Sequence, residues 1–291
     1  LHRWVARMPF VFIFALGAVV GSFLNVCIHR LPRGESVVFP ASRCPRCLAP
    51  IKPYDNVPIL SWVLLRGRCR SCRRRIPARY PAVELLTALL FLGLFIRFSS
   101  APGTLAVALA FASSLVVVVF VDIEHQIIPD EISLGGIAFG LAASAALPSL
   151  HASSMEAPFL GPVIAAAAAR IPLLPPPNSS SFASALLGAG AGGGLFWAIR
   201  AASGRIYGEE AMGFGDVKLM GYFGALLGPI LALLTTFFAS LLGSIAGLIL
   251  IGMKQAGLKS RLAFGPFLCL GAFISFLWGG RCVAWYLALL R

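Results

Sequence analysis

The sequence predicts an all-α polytopic membrane protein of about eight transmembrane helices, with a small cytoplasmic zinc-binding domain built on four cysteines. Three observations lead there. The 291 residues are 58% hydrophobic and 12% charged, with mean hydropathy +0.87, which excludes an ordinary soluble globule. Apolar runs of membrane-spanning length recur along most of the chain. Two CxxC pairs, Cys44/Cys47 and Cys69/Cys72, fall together in the most basic stretch.

The first apolar run, Met8 to Ile28, is long enough to span and ends in a basic segment, as a retained first helix would. Further spans are expected at 82–98, 104–121, 131–149, 182–199, 229–252 and 264–280. A shorter piece beginning near Gly213 and ended by Pro229 completes the eight. Residues 148–181, with the run Pro175–Pro177 among Ser and Asn, read as a non-cytoplasmic loop with a short re-entrant or interfacial helix. No internal repeat of 20–50 residues is evident. The domains expected are therefore a first helix (1–29), a zinc-binding segment (30–80) and a membrane-embedded remainder (81–291).

Charge sets the orientation. Net charge is +13, and 12 of the 24 Lys and Arg lie between Arg30 and Arg79. Between two membrane-length segments, such a patch marks the cytoplasmic side rather than a nucleic-acid site. With 30–79 inside, the eight-span threading brings Asp122–Glu131, Arg200–Lys218 and Met253–Arg261 to the same face. Two of these segments hold seven of the eleven acids: Asp122, Glu124, Asp130 and Glu131 in one, Glu209, Glu210 and Asp216 in the other.

The cysteine set is the most specific local signal. Two CxxC knuckles 21 residues apart can enclose one tetrahedral Zn²⁺ with four thiolates, leaving no open position, so the metal is expected to be structural. A cytoplasmic location argues against disulfides. Cys27, Cys269 and Cys282 lie in or beside spans and read as packing residues.

The second signal pairs VDIEHQIIPD with MGFGDVK. Asp122 closes one apolar span and Asp216 opens another. One carboxylate at a helix end reads as a solvated cap; two on one membrane face read as a site. Close carboxyl groups cannot both ionise cheaply, so such a pair shares a proton, one activating water while the other polarises a carbonyl. Gly213 and Gly215 would allow a tight turn and close approach of a substrate backbone. Pro129, before Asp130, would break the helix after Asp122. His125 reads as a polar loop residue. Glu84, near the start of the second span, reads equally as a paired structural acid or a functional one. GAGAGG, residues 188–193, formally matches GxGxxG but lies inside an apolar span, where small residues let helices approach closely.

Together these motifs resemble the bacterial type IV prepilin leader peptidases, a family of GxGD membrane aspartic proteases. The resemblance runs through GSFLNVCIHRLP, CPRC, NVPILSWVLLRGRCRSC, RYPAVELLTA, VDIEHQIIPD, MGFGDVKLM and FFASLLGSIAGL in the family's order, over most of the chain. It implies that Asp122 and Asp216 are the catalytic aspartates, supported by Gly213, Gly215, Lys218, Pro129 and Asp130. The implied reaction removes the basic leader of prepilins and type II secretion pseudopilins after a glycine, at the cytoplasmic surface of the inner membrane. Many members also N-methylate the new N-terminal residue with S-adenosylmethionine, and Glu84 is a candidate for that activity; the cysteine-bearing domain is typical of such bifunctional forms. The 94 positions between Asp122 and Asp216 exceed the family pattern, the excess falling at 148–181. The alternatives are a peptidase without methyl transfer, a non-enzymatic component of a pilus or secretion machine, and a transporter. Against the last, the acids gather at one surface rather than at midplane.

Overall fold

The computed structural model describes residues 8–155, 157–171, 174–207, 212–253 and 263–289. Among these residues there are helices and two isolated β-bridges, but no strand. The chain divides into two compact units, residues 1–121 and 122–291.

In the first unit, α1 (Met8–Arg30) packs along α3 (Arg79–Phe98), with the short α2 (Leu60–Leu64) in the segment that joins them. The closeness of α1 and α3 is written in three residues spaced by four. A Cβ added at Gly17 would lie 2.7 Å from the Ala88 Cα, and one at Gly21 would lie 2.7 Å from the Glu84 Cα. The next residue on that stripe, Asn25, is buried and donates from Nδ2 to the Tyr80 carbonyl at 3.0 Å. Small residues at this spacing let the backbones touch, and a polar side chain then finds a backbone partner across the crossing. Helix α4 (Pro102–His125) ends in the second unit, to which Asp122 belongs.

The second unit holds α5 (Asp130–Ala146), α6 (Ala152–Met155), α7 (Gly161–Ala168), α8 (Asn178–Tyr207), α9 (Phe214–Leu227), α10 (Pro229–Gly252) and α11 (Gly265–Leu289). Its centre is α9, buried at Val217 and continuously from Leu219 to Leu227. Glycines admit it. On α5, a Cβ added at Gly136 would lie 2.5 Å from the Tyr222 ring, and one at Gly140 would lie 2.9 Å from the Leu226 backbone nitrogen. On α8, Gly188 lies directly against the Gly224 carbonyl and Gly192 against that of Met220. Gly188 and Gly192 belong to the GAGAGG run, which is therefore a helix-crossing stripe. Helices α10 and α11 pair in the same way at Gly271, where a Cβ would come 2.7 Å from the Thr235 carbonyl.

Six described helices are long and apolar enough to cross a membrane, or up to seven if a bent pair forms one span, against the eight expected. The two shortfalls have local causes. Helix α5 has 17 residues and turns by 107° into Pro148–Met155, where Pro148 cannot continue the hydrogen-bond ladder. Helix α9 has 14 residues, which at 1.5 Å each is about 21 Å, short of a hydrocarbon core of about 30 Å. It is stopped by Gly228, at φ 80°, followed by Pro229. Within the expected loop at 148–181, α6 and α7 pack on α8, and the buried His151 places its ring nitrogens 2.7 Å from the Ser181 carbonyl and 2.9 Å from that of Leu226.

Candidate active site and metal centre

The cysteine segment is two copies of one turn. Cys44 N–H donates to the Ala49 carbonyl at 3.0 Å, and Leu48 N–H returns to the Cys44 carbonyl at 2.9 Å. Twenty-five positions later, Cys69 N–H donates to Arg74 at 2.9 Å and Arg73 N–H returns to Cys69 at 3.0 Å. Each copy closes with an antiparallel bridge, Arg43 to Pro50 and Arg68 to Arg75. Each also puts the residue after its second cysteine in the left-handed region, Leu48 at φ 58° and Arg73 at φ 57°. An eight-residue turn thus recurs after 25 positions, a local repeat that the sequence reading did not include, although the RCxxC spelling carries it.

The two turns bring the sulfurs of Cys44, Cys47, Cys69 and Cys72 within 4.8 Å of one another, with Cys44 Sγ 4.0 Å from Cys72 Sγ. A tetrahedral Zn–S₄ centre with 2.3 Å bonds has edges of about 3.8 Å, so the four thiols fit such an ion. The surrounding segment is braced by Trp62, whose ring covers Gly67 and whose Nε1 donates to the Ile76 carbonyl at 3.2 Å. Arg70 grips Asp55 with two bonds of 2.6 and 2.7 Å. The hydrogen bond from Arg70 holds the Asp55 carboxyl below its ordinary value.

Glu84 belongs to this same unit. It is buried and accepts the Ile59 N–H at 2.6 Å together with a hydrogen bond from Ser22. Ile59 sits at φ 62°, ψ −53°, with the Leu60 N–H turned back to the Pro58 carbonyl at 2.5 Å. That is a γ-turn of the rare positive-φ kind, strained for a β-branched residue by about 1–3 kcal/mol. The buried carboxyl group holds it.

Both aspartates belong to the second unit. Asp122 lies in the last turn of α4 and is buried. The helix stops three residues later, because Gln126 adopts φ 53° while its N–H still reaches the Asp122 carbonyl at 2.9 Å. Pro129 is buried and stands at the N-cap of α5, so it opens the following helix rather than breaking the preceding one. Asp216 lies in the first turn of α9 and is half-buried, and its carboxyl group accepts a hydrogen bond from the backbone of the N-cap residue Gly213. The Asp122 carboxylate acts electrostatically on Asp216, and both act on the buried thiol of Cys269 in α11. Asp122 Oδ2 also accepts the Gly265 N–H at 3.0 Å, a contact that no motif named above contains.

The supporting residues take specific places. Gly215 leaves room for Ile128, whose Cβ would lie 3.1 Å from an added methyl group, so the space is taken by the 126–129 loop. At Gly213 an added Cβ would meet Asp216 Oδ2 at an ordinary 3.6 Å, and its φ of −69° asks nothing special of glycine. Lys218 Nζ pairs with Asp130 Oδ1 at 2.5 Å, tying the start of α9 to the start of α5. His125, Glu124 and Glu131 are exposed. Glu209 and Glu210 lie outside the described residues.

Comparison with known proteins matches residues 15–98 to the bacterial peptidase A24 N-terminal domain and residues 109–248 to the type IV leader peptidase family. The first stretch contains the four cysteines and Glu84; the second contains both aspartates. The prepilin leader peptidase/N-methyltransferase of Aeromonas salmonicida is 34% identical over 96% of this chain and 93% of its own length. The chain belongs to the type IV leader peptidase family. Proteins of the same name from Pseudomonas aeruginosa and Myxococcus xanthus are 31% and 37% identical, over 99% and 86% of this chain and 97% and 66% of theirs. No solved structure matches the chain.

Proposed function

We propose that the chain is an aspartic endopeptidase of the bacterial inner membrane that removes the leader of type IV prepilins and type II secretion pseudopilins. The cut follows a glycine at the cytoplasmic surface, where the cysteine segment and both aspartates face. The observation that carries this is that Lys218–Asp130 and Gly215–Ile128 hold the start of α9, which bears Asp216, against the loop that follows Asp122, and that the two carboxyl groups act on each other electrostatically. One carboxylate takes a proton from water, whose oxygen attacks the scissile carbonyl carbon; the other, protonated, gives its proton to the carbonyl oxygen. Collapse of the resulting diol breaks the C–N bond and returns a proton to the departing amine. The exposed Glu124 and Glu131 supply negative charge to attract a basic leader.

The four thiolates are assigned to one structural Zn²⁺, which shapes the cysteine segment and takes no part in the hydrolysis. N-methylation of the new terminus from S-adenosylmethionine is supported by the relatives' double name. A hollow of about 270 Å³ on α8 presents Arg200 and Arg205, whose positive charge does not suit a sulfonium cation. Glu84 is assigned to holding the Ile59 turn. Asp122→Asn and Asp216→Asn, each incubated with a prepilin in proteoliposomes, are expected to lose at least about 10²-fold in cleavage rate. Full cleavage by either variant overturns the aspartyl reading.

A further inference from the structure

The first four amides of a helix lack partners within it, and at the start of α11 each can be traced. Pro266 has no N–H. Phe267 and Leu268 both donate to the Phe264 carbonyl at 3.1 Å. Gly265 donates outward, to Asp122 Oδ2 at 3.0 Å. Asp122 therefore caps a helix that begins 143 positions after it. The cap requires a bare backbone, because a Cβ built on Gly265 would lie 2.6 Å from Oδ2 and 3.0 Å from Cγ of Asp122. Asp122 also sits at the carboxyl end of its own helix α4, where the dipole opposes a negative charge; the amino end of the 25-residue α11 offsets it.

We propose that Gly265 is a positioning residue for peptide cleavage. Its N–H fixes one carboxylate oxygen of Asp122, and its missing side chain lets α11 approach close enough to do so, leaving the second oxygen to face the reacting water. This rests on the catalytic reading of Asp122. Gly265 lies beyond the stretch matched to the family, which ends at residue 248.

The test uses the full chain in proteoliposomes with a prepilin substrate. Gly265→Ala is expected to lower kcat about 10- to 100-fold, since a displacement of about 1 Å costs that much, while KM stays within about twofold and the pH profile of kcat changes. Gly190→Ala, where nothing lies within 4 Å of the added methyl group, is the control with unchanged kinetics. A second measurement is independent of cleavage. With ¹³C-carbonyl phenylalanine and ¹⁵N-glycine labelling, the Gly265 amide is the Phe-Gly signal lost in Gly265→Ala. That signal is expected to move in Asp122→Ala and to move less in Asp122→Asn, which keeps an acceptor oxygen. An unmoved signal in Asp122→Ala overturns the contact. A moved signal with wild-type kcat and pH profile in Gly265→Ala overturns the positioning role, and so does a loss of kcat matched by loss of folded protein. Full activity in Asp122→Asn overturns the aspartyl reading instead, and the positioning role falls with it even where the contact stands.

Discussion

The cysteine segment and the aspartate pair are built in opposite ways. The four sulfurs come from 29 consecutive residues, Cys44 to Cys72, and each pair is set by a turn whose hydrogen bonds close within six residues. The carboxyl groups come from α4 and α9, and the backbone that holds Asp122 comes from α11. A metal centre of local turns can be spelled in a short motif. A carboxylate pair assembled from helix ends depends on where those helices are held, and for α9 that is set by its crossings with α5 and α8 at Gly136, Gly140, Gly188 and Gly192.

This contrast can be tested by disturbing each region separately. The largest effect is expected from the metal. Purified protein should carry about one zinc per chain, and its removal by chelator should expose the 43–76 segment to protease, since structural zinc in small domains contributes about 10–16 kcal/mol of folding energy. Metal analysis with limited proteolysis checks this, and a metal-free preparation with an intact segment would break the comparison. A middle-sized effect is expected from crowding the loop beside Asp216. Gly215→Ala must push Ile128 aside and should slow cleavage about 10-fold or more, whereas Gly213→Ala should stay within about threefold. Equal losses in the two variants would return both glycines to a substrate-approach role. The smallest effect is expected at Lys218. Its pairing with Asp130 is partly exposed, at 20% and 58%, so Lys218→Met should cost no more than about 1 kcal/mol in thermal unfolding. A larger loss would mean that the pair is a principal link between α5 and α9.

Much of this was legible in the chain because it was local or periodic. Asp122 and Asp216 stand at the edges of apolar runs, and the cysteines declare themselves by spacing. Gly17 and Gly21 carry a GxxxG signal in α1 that was there to be found. Gly265 followed by Pro266, opening an apolar helix, is a visible start signal, yet nothing in its spelling says that its amide points at Asp122. The strained turn at Ile59 was not legible either, since a β-branched residue is normally evidence against positive φ. The buried Glu84, 25 positions away, holds that turn by accepting the Ile59 N–H.

The sequence by itself determined the membrane class and singled out four cysteines as a candidate ligand set and two acids as a candidate site, because apolar length, CxxC spacing and a charge at a helix end are properties of contiguous residues. Tertiary structure alone decided that α9 is enclosed by its neighbours, that Gly215 makes room for Ile128, and that Asp122 caps α11. Those three facts turn on what occupies the space beside a missing side chain, and the neighbour that fills it lies far along the chain.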